Sequence, residues 1–136
     1  MTDNTKRIVG ALFIFGAVIL IVLGVLALYF MRGQTQVVST RIEPIVFSDI
    51  EDGVYEGSYD GYRWQSTLLV HVENGEVVKV EIVKDHTLRL QEVAYALFDN
   101  VKHAKRLDEV DVIAGSTVTS VAYLRAIEDA LQKALE

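Results

Sequence analysis

A chain of 136 residues with one long apolar run has room for a single small domain besides that run. The formal net charge is -6, and the acidic excess lies after the apolar run, which excludes the basic footprint needed to bind the phosphates of a nucleic acid. The sequence has no cysteine, so disulfides, thiolate catalysis, iron–sulfur clusters, Cys-ligated zinc and lipid attachment through cysteine are excluded.

The uncharged run occupies residues 8–31. As a helix it would span about 36 Å at ~1.5 Å per residue, which is enough to cross the hydrocarbon core of a bilayer. A cleaved signal peptide has a shorter apolar region that ends in small residues, whereas this run ends in Tyr29, Phe30 and Met31. The run therefore predicts a single uncleaved transmembrane helix rather than a signal peptide or a buried core helix.

Basic residues flank the run unevenly. Lys6 and Arg7 precede it together with the terminal amine, and Arg32 and the more distant Arg41 follow it. Positive flanks favour the cytoplasmic side of a membrane. The slight excess before the run predicts a single-pass protein of the plasma membrane with a cytoplasmic N-terminus and an extracytoplasmic domain.

Residues 33–48 mix polar and β-branched residues and include the only proline, Pro44, which cannot continue a helix. We interpret them as a tether with at most one short extended piece. The predicted organisation is an N-terminal tail and transmembrane anchor at 1–32, a tether at 33–48 and one domain at 49–136.

Period-two alternation predicts a β-hairpin in the first half of the domain. Asn74 and Gly75 supply the two positive-φ positions of a type I′ turn between its strands. One face of the first strand is predicted to hold Trp64, Ser66, Leu68, Val70 and Val72, and the same face of the second strand Val78, Val80 and Ile82.

Three glycines, Gly53, Gly57 and Gly61, recur at every fourth position before the hairpin and alternate with tyrosines. Such glycines mark either a bulge or a place where another backbone or a ligand comes close. A twisted edge strand with turns is an equally good interpretation of this stretch alone.

Two segments, 88–105 and 118–135, have apolar residues three and four apart, which predicts two amphipathic helices. Two such helices can cover one face of a small antiparallel sheet, so the predicted fold class is α+β with a single core. The predicted core positions are Leu90, Val93, Ala94, Leu97, Phe98 and Val101 in the first helix, and Val121, Leu124, Ile127, Leu131 and Leu135 in the second.

The stretch "DVIAGSTVTS", which begins at Asp111, places three hydroxyl residues, Ser116, Thr117 and Thr119, where the last helix begins. A Ser or Thr at a helix N-terminus commonly accepts a hydrogen bond from a free backbone N–H and so caps the helix. The same free N–H groups and the positive end of the helix dipole also bind phosphate. Local chemistry leaves both interpretations open.

The order of "DGVYEGSYDGY", hairpin, helix, "DVIAGSTVTS" and final helix resembles the FMN-binding domain family from Asp52 to Leu135. That family includes the flavin-carrying domains of the G subunit of Rnf complexes and of the C subunit of the sodium-pumping NADH:quinone oxidoreductase. Its members typically read Asp, two residues, Ser or Thr, Gly, Ala, Thr, any residue, then Thr or Ser.

The resemblance implies that a flavin transferase esterifies the phosphate of FMN to Thr117, with Asp111 as the leading acid and Gly115 as the glycine. Ala114 stands where Ser or Thr is usual, and Ser116 stands where Ala is usual. Both residues are small, so access to Thr117 is expected to persist.

Three more candidate cofactor contacts are Thr119, the neighbouring acceptor, His86, which lies where family members often carry a polar ligand-side turn, and Tyr62. Tyr62 is chosen from four aromatic residues that could stack on a flavin ring: Tyr55, Tyr59, Tyr62 and Trp64. Strand aromatics more often pack in a core or across strands than on a ligand, so that alternative stays open for Tyr62. The histidines are too scattered to predict a metal site.

The implied function is that of a membrane-anchored, extracytoplasmic electron carrier with covalent FMN, rather than a stand-alone enzyme. Its implied partners are a flavin transferase and a membrane redox partner such as a quinone-linked or flavin-containing subunit. Two alternatives remain: a membrane-tethered assembly or interaction domain of the same fold without covalent flavin, and a small reductase that uses noncovalent FMN.

Overall fold

A computed structural model describes residues 2–32, 41–85 and 91–136. The chain divides into two compact units, Met1–Arg32 and Gly33–Glu136. The first unit is the 29-residue helix α1, Asp3–Met31, which buries none of its side chains. Within the part of the chain that the structure describes, α1 is the one helix that is long and apolar enough to cross a membrane.

The second unit contains a three-stranded antiparallel sheet in the order β1, Gly53–Gly61, then β2, Trp64–Glu73, then β3, Glu76–Asp85. The predicted hairpin is confirmed as β2 and β3. Its turn residues Asn74 and Gly75 have φ values of 53° and 74°, as a type I′ turn requires. The predicted face of β2 is buried along its whole length.

A β-bulge changes the inward face of β3. His71 pairs with Lys79 and Val72 pairs with Val77, so Val78 is an additional residue without a partner on β2. Val78 is therefore 40% exposed and Val77 is buried in its place, contrary to the prediction for Val78. Because side chains alternate with period two, one inserted residue exchanges the two faces at that point.

Two helices complete the α+β fold. Helix α2, Gln91–His103, packs on β3, and helix α3, Thr117–Leu135, packs on β1 and β2. The apolar residues predicted for α2 that lie in the described ranges are buried or half-buried, while Leu90 lies outside the described residues. In α3, Leu135 is exposed, and Tyr123, which was outside the predicted stripe, is buried.

The segment just before the sheet also belongs to the core. Ile45 and Phe47, which the sequence interpretation assigns to the tether, are buried. The Phe47 N–H donates to the Lys105 carbonyl at 3.0 Å, and the Leu107 N–H donates to the Ile45 carbonyl at 3.0 Å. This short bridge attaches residues 45–47 to the segment between α2 and α3. Residues 33–40 of the predicted tether lie outside the described residues.

Helix α3 approaches the edge strand β1 at backbone distance. A Cβ atom on Gly57 would meet the Ala126 carbonyl oxygen and the Ala130 amide nitrogen, so Gly57 marks the close backbone approach that its pattern suggested. Gly53 and Gly61 differ, because the nearest atoms there belong to flexible tyrosine rings.

Side chains of α3 also reach the outer backbone groups of β1. The Ser58 N–H donates to the Asp129 carboxylate at 2.9 Å, and the Lys133 ammonium donates to the Glu56 carbonyl at 3.4 Å. These groups point away from β2, where an edge strand normally faces solvent.

Candidate functional site

One end of the sheet brings together the β1–β2 turn, the end of β3 and the start of α3. Gly61 pairs with Trp64 at the turn, and Ser66 pairs with Asp85 at the end of β3. The Trp64 side chain is buried against the first turns of α3, at Val118, Val121 and Ala122. The hydroxyl-rich loop therefore lies at the same end of the sheet as the β1–β2 turn.

A tight turn leads into α3. The Ser116 N–H donates to the Ile113 carbonyl at 3.0 Å, and Gly115 has a φ of 80°. A positive φ at the third position of such a turn favours glycine, which explains the residue type at 115. The Ile113 N–H in turn donates to the Ser120 hydroxyl at 3.1 Å, and Ser120 is fully buried. Ser120 therefore holds the loop against the helix.

The three hydroxyl residues predicted for the site, Ser116, Thr117 and Thr119, are all less buried than Ser120. Ser116 is the N-cap residue by position, yet its side chain makes no cap hydrogen bond. Thr117, the first helical residue, is exposed, and Thr119 is half-buried. The N–H groups of the first helical turn have no partner within the helix. A phosphate ester on an exposed hydroxyl beside these donors would be stabilised by them, because the ester retains a negative charge.

The start of the loop is held by α2. Asn100 donates from its side-chain amide to the Asp111 carbonyl at 3.1 Å, and the Asp111 side chain is exposed. Sequence reasoning missed Asn100 and Ser120 as loop-positioning residues. Each of the two is a polar residue next to the apolar stripe of its helix, and that position is the signal by which the sequence could have identified it.

Tyr62 lies in the two-residue turn between β1 and β2, at the same end of the sheet as Thr117. It is 48% exposed and has a φ of 61°, while Arg63 has no positive φ. Positive φ at the first turn residue alone is the type II′ pattern, in which that residue is normally glycine. A non-glycine residue held there costs on the order of 1–3 kcal/mol, and such strain is concentrated at functional sites.

Replacing Tyr62 with glycine is expected to stabilise the domain by about 1 kcal/mol, because glycine adopts positive φ without steric cost but loses more chain entropy on folding. Urea unfolding of the full-length protein in detergent measures the change. Tyr62→Ala is the matched control, since it removes the ring and keeps the strained Cβ. Equal stability of the two variants would contradict the assignment of strain to this backbone.

The other aromatic residues near the turn are used in packing. Trp64 is buried beneath the Arg63 guanidinium, whose central carbon lies 4.7 Å from the ring centroid. Tyr59 packs against the core with the Arg125 guanidinium 5.9 Å from its ring centroid, and burial raises the pKa of its hydroxyl. Tyr62 is therefore the turn aromatic with the most exposed ring.

The end of β3 is joined to α3 by a short hydrogen bond. The Tyr123 hydroxyl donates to the Asp85 carboxylate at 2.6 Å, and the Tyr123 ring meets Phe98 of α2 edge to face, with centroids 5.6 Å apart. The predicted site residue His86 follows Asp85 directly and lies outside the described residues. Among the described residues, no group of three or more His, Asp or Glu is placed to hold a metal ion.

A protein-family model matches the part of the chain that contains these features. The model of the FMN-binding domain matches residues 61–132, from the last residue of β1 into the last turns of α3. No curated protein and no solved structure matches the chain. The match covers just over half of the chain, includes both the strained turn and the hydroxyl-rich loop, and supports FMN as the cofactor. The chain therefore belongs to the FMN-binding domain family.

Proposed function

We propose that this protein is a membrane-anchored flavoprotein that carries FMN esterified through its phosphate to Thr117 and acts as an electron carrier. The observation that carries this proposal is the exposed Thr117 hydroxyl beside the first-turn N–H groups of α3, in a loop that Ser120 already holds. Bound FMN accepts and donates one or two electrons. The domain supplies the attachment site of the FMN and the protein groups that surround it.

The Thr117 residue would form the ester by attack of its hydroxyl oxygen on the phosphorus of a flavin nucleotide. The new phosphorus–oxygen bond replaces the phosphoanhydride bond of a flavin dinucleotide, whose nucleoside monophosphate half leaves with the bonding electron pair, and the hydroxyl proton goes to a base of the flavin transferase. The diester retains one negative charge, which the helix N-terminus stabilises. The space around Gly115 is open, which leaves room for the transferase beside Thr117.

The anchor in this proposal is α1, with the domain outside the cytoplasm. The support is the length and apolar character of α1 and the basic residues Lys6 and Arg7 before its apolar run. An ester bond retains the cofactor where a dissociated one would be lost. The proposed partners are a flavin transferase for maturation and a quinone-linked or flavin-containing membrane subunit for electron exchange.

Intact mass of the full-length protein co-expressed with a flavin transferase tests the proposal. The wild-type chain is expected to gain the mass of one FMN ester and to keep flavin fluorescence on a denaturing gel. Thr117→Ala is expected to lose both signals. Thr117→Ser, which keeps a hydroxyl, is expected to retain them in part.

Thr119→Ala is the matched control, because it removes the neighbouring hydroxyl and leaves Thr117 in place. An adduct that persists in Thr117→Ala and is lost in Thr119→Ala would move the attachment to Thr119. Flavin that is fully released on denaturation would favour a noncovalent reductase. Purified protein without any flavin would favour an assembly domain of the same fold.

A further inference from the structure

The loop that leads to Thr117 is held by side chains of two different helices. Residues 111–116, here called the acceptor loop, belong to no helix or strand. Asn100 of α2 donates to the Asp111 carbonyl at 3.1 Å, and Ser120 of α3 accepts from the Ile113 N–H at 3.1 Å. These side chains therefore bond backbone groups of the loop that a neighbouring strand or a helical turn would bond elsewhere.

Burial divides the residues of this region into two groups. Val110, just before the acceptor loop, is buried, and Ile113 is half-buried against the core. Asp111, Gly115 and Thr117, which carry the family resemblance, are exposed. An enzyme that approaches from solvent thus meets the motif residues in one backbone conformation, which the inward-facing residues and the two hydrogen bonds define.

The hold on Ile113 is transmitted to Thr117 through the turn. The Ile113 peptide unit accepts from the Ser116 N–H through its carbonyl, at 3.0 Å, and donates to Ser120 through its N–H. Ser120 is fully buried, so an approaching enzyme cannot contact its side chain. Any effect of Ser120 on such an enzyme has to pass through the conformation of the acceptor loop.

We propose that Asn100 and Ser120 are positioning residues that keep the acceptor loop in the conformation that a flavin transferase binds, an inference that rests on the proposed function. When the binding-competent conformation is only partly populated, the apparent affinity falls by the populated fraction. With both hydrogen bonds in place the loop is ordered before the transferase arrives, so binding does not have to order it. The Thr117 hydroxyl of the bound protein is unchanged when either hydrogen bond is removed.

Removal of the two hydrogen bonds is expected to have a non-additive effect. A typical intramolecular hydrogen bond changes the equilibrium between ordered and open loop by a factor of about 5. Because either bond alone keeps most loops ordered, Asn100→Ala and Ser120→Ala should each raise the half-saturating transferase concentration by less than about 5-fold. The double variant should raise it by more than the product of the two single increases, with an unchanged maximal rate.

The test uses the full-length protein in detergent, produced without a transferase and then mixed with a purified flavin transferase and a flavin dinucleotide. Single-turnover rates of adduct formation, followed by intact mass at increasing transferase concentrations, give the half-saturating concentration and the maximal rate. Hydrogen exchange of the peptide that contains Ile113 measures opening of the acceptor loop without any flavin. We expect this exchange to be fastest in the double variant.

Two control variants separate loop order from general stability. Lys102→Ala changes an exposed residue of α2, two positions after Asn100. Ile127→Val removes a fully buried carbon atom from α3, ten residues and ~15 Å along the helix beyond Thr117. With rates normalised to the folded fraction from urea unfolding, both controls should have the wild-type half-saturating concentration and wild-type exchange of the loop.

The possible outcomes distinguish this inference from the proposed function. Normal adduct formation in the wild type, with the same half-saturating concentration in the double variant, would overturn this inference alone. A lower half-saturating concentration in the double variant would also overturn it, because the transferase would then bind an opened loop. A purely multiplicative increase would indicate two separate contacts with the transferase and would equally contradict it. Absence of any adduct in the wild type would overturn the proposed function and this inference together.

Discussion

Gly57→Ala is expected to destabilise the domain by at least about 3 kcal/mol, at the upper end of the cost of overpacking a core. The added Cβ would meet the Ala126 carbonyl oxygen and the Ala130 amide nitrogen, and it would lie 2.7 Å from the Ala130 Cβ. The first two atoms belong to the rigid backbone of α3, and the third is the first side-chain atom of Ala130. The clash is therefore relieved only when the whole helix moves away from β1.

Urea unfolding of the full-length protein in detergent, followed through its single tryptophan, Trp64, measures this loss. Gly53→Ala in the same strand is the matched control. Its added Cβ would lie 3.2 Å from the Tyr55 ring, a flexible side chain that can rotate away. Similar stabilities for the two variants would contradict the close approach of α3. Because α3 also carries Thr117, Gly57→Ala is expected to reduce the proposed flavin attachment in proportion to the fraction unfolded.

Phe47→Ala is expected to cost about 3–5 kcal/mol, the usual range for truncating a buried aromatic residue. Phe47 is fully buried among side chains of the core, and its N–H is bonded to the Lys105 carbonyl. Truncation leaves a cavity beneath the connection between α2 and α3. The expected result is a lower urea midpoint with an unchanged slope, since the native fold persists at lower stability.

Asp49→Ala is the control for Phe47→Ala, because Asp49 lies in the same short 3-10 turn and is exposed. A change within about 0.5 kcal/mol is typical of such a surface site. If Phe47→Ala were no more costly than Asp49→Ala, residues 45–47 would behave as the tether that the sequence pattern suggested. A large difference would make them a structural part of the domain.

The sequence predicted the fold best where one face of an element meets the core. The buried positions of β2 followed from period-two alternation because one face of that strand is buried along its whole length. The prediction failed at Val78 because a bulge changes the alternation without any change in composition. Phe47 was missed because the buried segment 45–47 is only three residues long and has too few positions to show a period. Tyr123 was missed because α3 contacts both the sheet and α2, which widens its buried face beyond one stripe.

The candidate site was predictable where its chemistry is local in the sequence. The helix start at the hydroxyl residues was predicted from "GSTVTS" and is confirmed at Thr117, and the structure adds the positive φ of Gly115. The hydrogen bond between Tyr123 and Asp85 joins residues 38 positions apart, and no local pattern indicates such a pair. The role of Thr117 as the flavin acceptor stays a prediction. Tyr62 was selected as an aromatic residue, whereas its unusual backbone became visible only in the structure.

The hydrogen bonds from α3 to the outer edge of β1 affect how copies of this protein can pair when they meet in a membrane. Chains anchored as proposed diffuse in the plane of a membrane, where copies meet far more often than they would in solution. An open edge strand is a template on which a second copy can extend the sheet. On β1, Asp129 and Lys133 already engage the Ser58 and Glu56 backbone groups that a second copy would need. The same helix that presents Thr117 thus occupies backbone groups of β1 through which a second copy could otherwise extend the sheet.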